Sequence, residues 1–167
     1  MSAPISLPLC ARPKIVLVGG GVRSGKSAFA EARALALCDV DGPRPAYVAT
    51  AQAYDDEMRQ RIEQHQVDRG DRFASVEEPA ELAAALRSVA NGSHPQLEGV
   101  SDGVPGAILV DCLTLWLSNL LCEDLDDACI EARCASLVSV LLQLTVPIVL
   151  VSNEVGLGIV PESSLGR

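Results

Sequence analysis

The sequence predicts an α/β protein built on a mostly parallel, doubly wound sheet, and three observations carry that prediction. Short apolar runs rich in β-branched residues recur along the chain, as buried parallel strands require. Segments with helical spacing alternate with them, which is the pattern of strand–helix–strand crossovers. The first run opens into a glycine cluster and the third ends in a carboxylate, so both put polar chemistry at a strand's carboxyl end. The length of 167 residues fits one domain with a real core, and 49% of the residues are hydrophobic.

The elements follow in order. After residues 1–13, expected as a flexible tail, Lys14-Ile-Val-Leu-Val18 reads as the first strand. Ala28, Ala32 and Leu35 then mark a helix, and Ala46-Tyr-Val-Ala-Thr50 reads as the second strand. Residues 53–69 look helical, with Tyr54, Met58 and Ile62 on one stripe. Glu81 to Val89 is a short Ala/Leu helix with Pro79 at its first turn. Asn91 to Gly106 lacks any period and reads as a loop. Ala107-Ile-Leu-Val-Asp111 is the third strand, residues 113–121 and 125–144 are helices, and Pro147-Ile-Val-Leu-Val-Ser152 is the fourth strand. Asn153 to Pro161 is a glycine-punctuated loop, and residues 14–167 form a single domain without internal repeats.

Composition removes several function classes. With 13 Lys+Arg against 22 Asp+Glu the formal charge is −9, so no basic stripe exists to bind nucleic acid by neutralising its phosphates. No apolar stretch is long enough for a membrane span, and the N-terminus lacks the features of a secretory signal, so the expected location is cytoplasmic. None of the six cysteines forms a CxxC pair; Cys122, Cys129 and Cys134 fit small buried helix residues better than metal ligands.

The segment Gly20-Gly21-Val22-Arg23-Ser24-Gly25-Lys26-Ser27 fits G-x-x-x-x-G-K-[ST] between a strand and a helix. The glycines let successive N–H groups converge on phosphate oxygens, Lys26 reaches the β- and γ-phosphates, and the Ser27 hydroxyl ligates Mg²⁺. The competing reading is an accidental glycine-rich turn. Asp111 closes the third strand where ligands bind in such sheets, as a Mg²⁺ partner or as an N-cap for the next helix.

On the 53–69 helix, Glu57, Arg61, His65 and Arg69 are spaced four apart and form one polar stripe. His65 reads either as an ordinary boundary residue or as a catalytic one, with Arg61 and Arg69 binding phosphate beside it. His94, the other histidine, lies between Ser93 and Pro95 and reads as a solvated loop residue.

The segments GGVRSGKS (20–27), YVAT (47–50), DDEMRQRIEQHQ (55–66), VEEP (76–79), ILVDCLTLWLSNLL (108–121) and VLVSNEVGLGIVP (149–161) stand in this order. Together they closely resemble the bifunctional adenosylcobinamide kinase / adenosylcobinamide-phosphate guanylyltransferase family (the CobU/CobP type), from about residue 14 to residue 165. The resemblance implies a P-loop NTPase-like (RecA-like) sheet and two reactions of cobalamin biosynthesis. ATP or GTP phosphorylates the aminopropanol hydroxyl of adenosylcobinamide. GTP then guanylylates a histidine, and the GMP passes to adenosylcobinamide phosphate, giving adenosyl-GDP-cobinamide and pyrophosphate. By position the guanylylated histidine maps onto His65. Relatives often carry two adjacent histidines and a following arginine there, where this chain has Gln64, His65 and Gln66. The resemblance also brings Glu77 to the nucleotide, Asn153 and Glu154 to the active-site wall, and a homo-oligomer, a trimer.

Family members continue beyond the point where this sequence stops, at Leu165-Gly166-Arg167. The expectation is therefore a sheet lacking its last helix and strand, with an exposed edge and an uncovered apolar face. Two other functions compete with the bifunctional enzyme. One is a different P-loop kinase or ATPase in which the histidine helix is scaffold. The other is a non-catalytic nucleotide-binding remnant.

Overall fold

The structure, a computed structural model, describes residues 14–53, 56, 59, 60, 64, 67, 69–97, 103–123 and 125–155. Its strands are β1 (Ile15–Gly20), β2 (Ala46–Ala49), β3 (Ala74–Glu77), β4 (Ile108–Asp111) and β5 (Ile148–Asn153). They form one parallel sheet in the order β1-β5-β4-β2-β3. Around it stand helices α1 (Lys26–Leu37), α2 (Leu82–Ala90), α3 (Leu113–Cys122) and α4 (Asp127–Gln143). Asp56, Arg59, Gln60, Gln64, Val67 and Arg69 are also helical, while Tyr54, Met58 and Ile62 lie outside the described residues.

The inner strands β2, β4 and β5 are apolar and buried along most of their length because both faces of the sheet are covered there. Alternate residues of one strand enter different layers, as the period of two dictates. Val48, Ile108, Val110, Ile148 and Leu150 face Leu82, Leu86 and Val89 of α2, Trp116 and Leu120 of α3, and Leu137 and Val140 of α4. Tyr47, Leu109, Val149 and Val151 face Ala30, Ala34 and Leu37 of α1. The alanines of α1 let it lie close on the sheet, which sets the position of the loop that feeds it. Leu82 and Leu86 are fully buried, and truncating either to alanine costs about 2–5 kcal/mol. At one edge of the described sheet, Leu17 of β1 is 65% exposed.

Four expectations need correction. Strand β3 was not among the expected strands: Ala-Ser-Val-Glu is only four residues long and alternates buried with exposed, as suits an edge strand with one wet face. Pro79 is not in the first turn of α2, which starts at Leu82 after Glu81; its carbonyl instead accepts a hydrogen bond from Asn119 Nδ2 at 3.0 Å. Cys122 and Cys129 are exposed, at the end of α3 and in the first turn of α4, while Cys134 is half-buried and packs against the core beside Leu137. Phe29, which as an aromatic residue between helix alanines reads from the sequence as core-like, is 62% exposed beyond the small-residue face of α1. Among the described residues no helix is long and apolar enough to cross a membrane.

Candidate active site

The carboxyl ends of β1, β5, β4 and β2 open onto one cavity of about 580 Å³, a size typical of small-molecule sites. Val22, Arg23, Ser24, Gly25, Lys26 and Ser27 form one wall, and Tyr47, Arg69, Asp111, Cys112 and Asn153 contribute to the rest.

The loop between β1 and α1 turns through unusual backbone. Gly25 has φ +82° and Arg23 has φ 58°, the left-handed region that side chains other than glycine adopt at a cost. At Gly20 a Cβ would stand 2.9 Å from Ser24 Oγ, so the absence of a side chain there lets the loop fold over its own serine. Ser24 N–H donates to Gly21 O at 3.3 Å, and Lys26 Nζ donates to the same carbonyl at 2.8 Å. Helix α1 begins with Gly25 as cap, with no side-chain cap bond and no acidic residue in its first turn. The positive end of that helix is therefore not satisfied by its own sequence, which suits an anion.

Across the cavity, strand register brings Asp111 to the same level as Ala49. Tyr47 Oη donates to Asp111 Oδ2 at 3.0 Å. Burial first, then the negative charge of Asp111, pushes the Tyr47 hydroxyl well above its ordinary pKa, so it remains a donor. The Arg69 guanidinium lies over the Tyr47 ring at 3.6 Å from its centroid, and Phe73 meets that ring edge-on at 6.0 Å. Burial also raises the pKa of the Cys112 thiol, which keeps it protonated and a poor nucleophile.

The last strand closes the site from between β1 and β4. Asn153 N–H donates to Thr114 Oγ1 at 2.9 Å, and its side-chain amide reaches Cys112 Sγ at 3.8 Å. Glu154 N–H donates to Gly20 O at 3.1 Å, tying β5 to the root of the loop.

Of the residues singled out from the sequence, Val22 to Ser27, Arg69, Asp111 and Asn153 come together around the cavity, with Gly20 and Gly21 at the base of the loop. Two do not line it. Glu77 ends β3, level with Ala49, and its N–H donates to Gln96 Oε1 at 2.7 Å. Glu154 contributes its backbone to the loop root while the residue is exposed. His65, Arg61 and Glu57 lie outside the described residues. Tyr47 and Cys112 line the site without having been singled out for it; a tyrosine within an apolar strand was the one available signal, because a buried phenol needs a partner. His94, in its loop, accepts a hydrogen bond at Nδ1 from Gln96 N–H at 3.3 Å.

The chain has clear relatives. A family described as "Cobinamide kinase / cobinamide phosphate guanyltransferase" matches residues 16–167. A "Bifunctional adenosylcobalamin biosynthesis protein CobP" from Pseudomonas aeruginosa is 43% identical over 151 residues, 90% of this chain and 78% of the relative. The Escherichia coli protein named "Bifunctional adenosylcobalamin biosynthesis protein CobU" is 34% identical, over 92% of this chain and 82% of its own. Among solved structures, a KaiC-like protein from Pyrococcus horikoshii superposes with a TM-score of 0.51 at 16% identity, over 92% of this chain and 65% of that one. That likeness supports the parallel P-loop fold. With the family match spanning nearly the whole sequence and two such relatives, the chain belongs to the cobinamide kinase / cobinamide phosphate guanyltransferase family.

Proposed function

We propose that this chain phosphorylates adenosylcobinamide with ATP or GTP. It then transfers GMP from GTP to adenosylcobinamide phosphate through a guanylyl group on His65. The observation that carries the nucleotide part of this reading is the single cavity that joins the loop residues Lys26 and Ser27 to Asp111 and to the buried cation of Arg69. Family membership supports the cobinamide substrates and the two transfers.

In the kinase step the acceptor's hydroxyl oxygen attacks the γ-phosphorus, the bond to the β-bridging oxygen breaks, and the nucleoside diphosphate leaves. Lys26 and the free amides at the start of α1 stabilise the charge on the transferring group. In the second reaction an imidazole nitrogen of His65 attacks the α-phosphorus of GTP and pyrophosphate leaves. An oxygen of adenosylcobinamide phosphate then displaces the imidazole. Splitting the exchange in two lets one site handle both nucleotide and acceptor. Arg61 and Arg69 are assigned to phosphate groups, and Glu77, Asn153 and Glu154 to the surrounding wall.

Mg²⁺ fits this donor set. Ser27 and Asp111 line the same cavity, and among the described residues no cluster of three or more His, Cys, Asp and Glu makes a dedicated metal cage. Magnesium bound with substrate phosphates needs only one or two protein ligands. Bound there, it would neutralise charge on the phosphates. The same family reading implies a homo-oligomer, a trimer, which sedimentation equilibrium tests.

The direct test is covalent labelling. Incubation with Mg²⁺ and GTP labelled at the α-phosphate, followed by denaturation, is expected to leave acid-labile, base-stable label on the wild-type chain and none on His65→Ala. Label retained by His65→Ala overturns the assignment of that residue. A folded, GTP-binding chain that takes no label overturns the His65 mechanism and leaves a kinase-only enzyme or an inactive remnant.

A further inference from the structure

We propose that Tyr47 is a positioning residue that sets two opposite charges of the nucleotide site at once. Its hydroxyl orients Asp111 for a metal ion, and its ring seats Arg69 for a phosphate. This rests on the reading of the cavity as a metal–nucleotide site.

The hydroxyl half follows from sheet register. Tyr47 pairs with Leu109 across β2 and β4, so Asp111, two residues further along, emerges on the same face one step towards the cavity. That diagonal lies within reach of a long aromatic side chain. The hydrogen bond from Tyr47 Oη to Oδ2, at 3.0 Å, commits one carboxylate oxygen. Oδ1 then has no partner among the described residues and is the oxygen available to a cation.

The ring half follows from burial. Arg69 is only 4% exposed, and its Nε is buried with no hydrogen-bond partner. Among the described residues no carboxylate pairs with its guanidinium. A buried, unpaired cation is costly, and stacking on an aromatic face offsets only part of that. The guanidinium lies 3.6 Å from the Tyr47 ring centroid and borders the cavity, so an anion arriving there supplies the missing partner. Phe73, edge-on at 6.0 Å, braces the ring from another side. The brace fixes where the hydroxyl points.

Tyr47→Phe and Tyr47→Leu separate the two halves. Binding of Mn²⁺ followed by electron paramagnetic resonance, with the α,β-methylene analogue of GTP present, reads the Asp111 side. Binding of the same analogue in EDTA reads the Arg69 side. Tyr47→Phe is expected to weaken Mn²⁺ about tenfold, the worth of one hydrogen bond to a charged group, with analogue binding in EDTA unchanged within about twofold. Tyr47→Leu and Arg69→Met are expected to weaken the analogue in EDTA about tenfold as well. Wild-type Mn²⁺ affinity in Tyr47→Phe overturns the proposal. So does an equal loss of both ligands in Tyr47→Phe with a lowered melting temperature, which marks a structural role only. Failure of the wild-type chain to guanylylate, with these binding differences intact, would refute the proposed function and leave Tyr47's role standing.

Discussion

Thr50 Oγ1 and the backbone of Cys112 exchange two hydrogen bonds: the hydroxyl donates to Cys112 O at 2.7 Å and accepts from Cys112 N–H at 2.9 Å. Both partners are buried, and the pair locks the end of β2 to the residue that follows Asp111. Thr50→Val keeps the shape and leaves both backbone groups without this partner. Cys112 O keeps the hydrogen bond it accepts from Trp116 N–H at 3.1 Å, so we expect a loss of about 1–3 kcal/mol in urea unfolding, from the one N–H left unsatisfied. Thr50→Ser, which keeps the hydroxyl, is expected to recover most of it. Equal stability of the Val and wild-type chains would mean that other groups satisfy the Cys112 backbone.

The loop glycines divide by backbone angle. Gly25 sits at φ +82° with open space where a Cβ would be, so Gly25→Ala meets conformational strain and no clash. About 1–2 kcal/mol of strain is expected, and the chain can relieve it by moving the loop. Nucleotide affinity should therefore fall, by about tenfold if the strain is relieved that way. Gly19 in β1 lacks positive φ, and nothing lies within 4 Å of the position a Cβ would take there. Gly19→Ala is therefore expected to leave both the melting temperature and nucleotide binding near wild type. Isothermal titration with GTP, beside thermal melts, checks the pair; matching affinities for the two variants would refute the backbone argument.

What the sequence made legible was what is local in the chain. The loop from Gly20 to Ser27 is eight consecutive residues in a fixed grammar, so its strand, turn and helix could be read together. Asp111 was legible for a similar reason, since a carboxylate closing an apolar strand lies at a known edge of a parallel sheet. Tyr47 was not. It stands 64 residues before Asp111, and their contact depends on β2 lying beside β4, an order no single sequence states. Within an apolar run a tyrosine also reads as core, and one ring face here is indeed core while its hydroxyl is in the site. Strand β3 escaped notice because Ser75 and Glu77 break its apolar run. The exposed thiols of Cys122 and Cys129 were misread because spacing alone does not say which side of a helix is wet.

Helix α4 carries a pH-dependent cap. Asp126 precedes it and accepts from Cys129 N–H at 2.7 Å. Hydrogen bonds from the Cys129 thiol and then from its backbone N–H hold the carboxyl below its ordinary value of 3.8. A carboxyl whose folded-state pKa is lowered contributes stability above its unfolded value and loses it as pH falls through the lowered one. Asp126→Asn keeps an acceptor that does not titrate. Urea midpoints are expected to favour the wild type near neutrality, with the difference shrinking below pH 3.8. A difference that stays constant to the acid end would show that the cap acts without its charge.

Lys26 offers the sharpest separation of function from fold. Its ammonium donates to Gly21 O at 2.8 Å, an exposed contact within the loop that it must share or leave when phosphate arrives. Losing an exposed bond of this kind changes stability by about 0.5 kcal/mol or less. Losing the charge where negative charge develops costs far more, about 10²–10³ in rate for one preorganised donor. Lys26→Met is therefore expected to melt with the wild type while both phosphoryl transfer and guanylylation fall by about that factor. Addition of EDTA to the wild type should suppress the same two activities. If Lys26→Met lowers only the guanylyl step, the two reactions use different phosphate contacts and the shared-cavity reading fails. If it lowers neither, the loop holds nucleotide through its backbone amides alone.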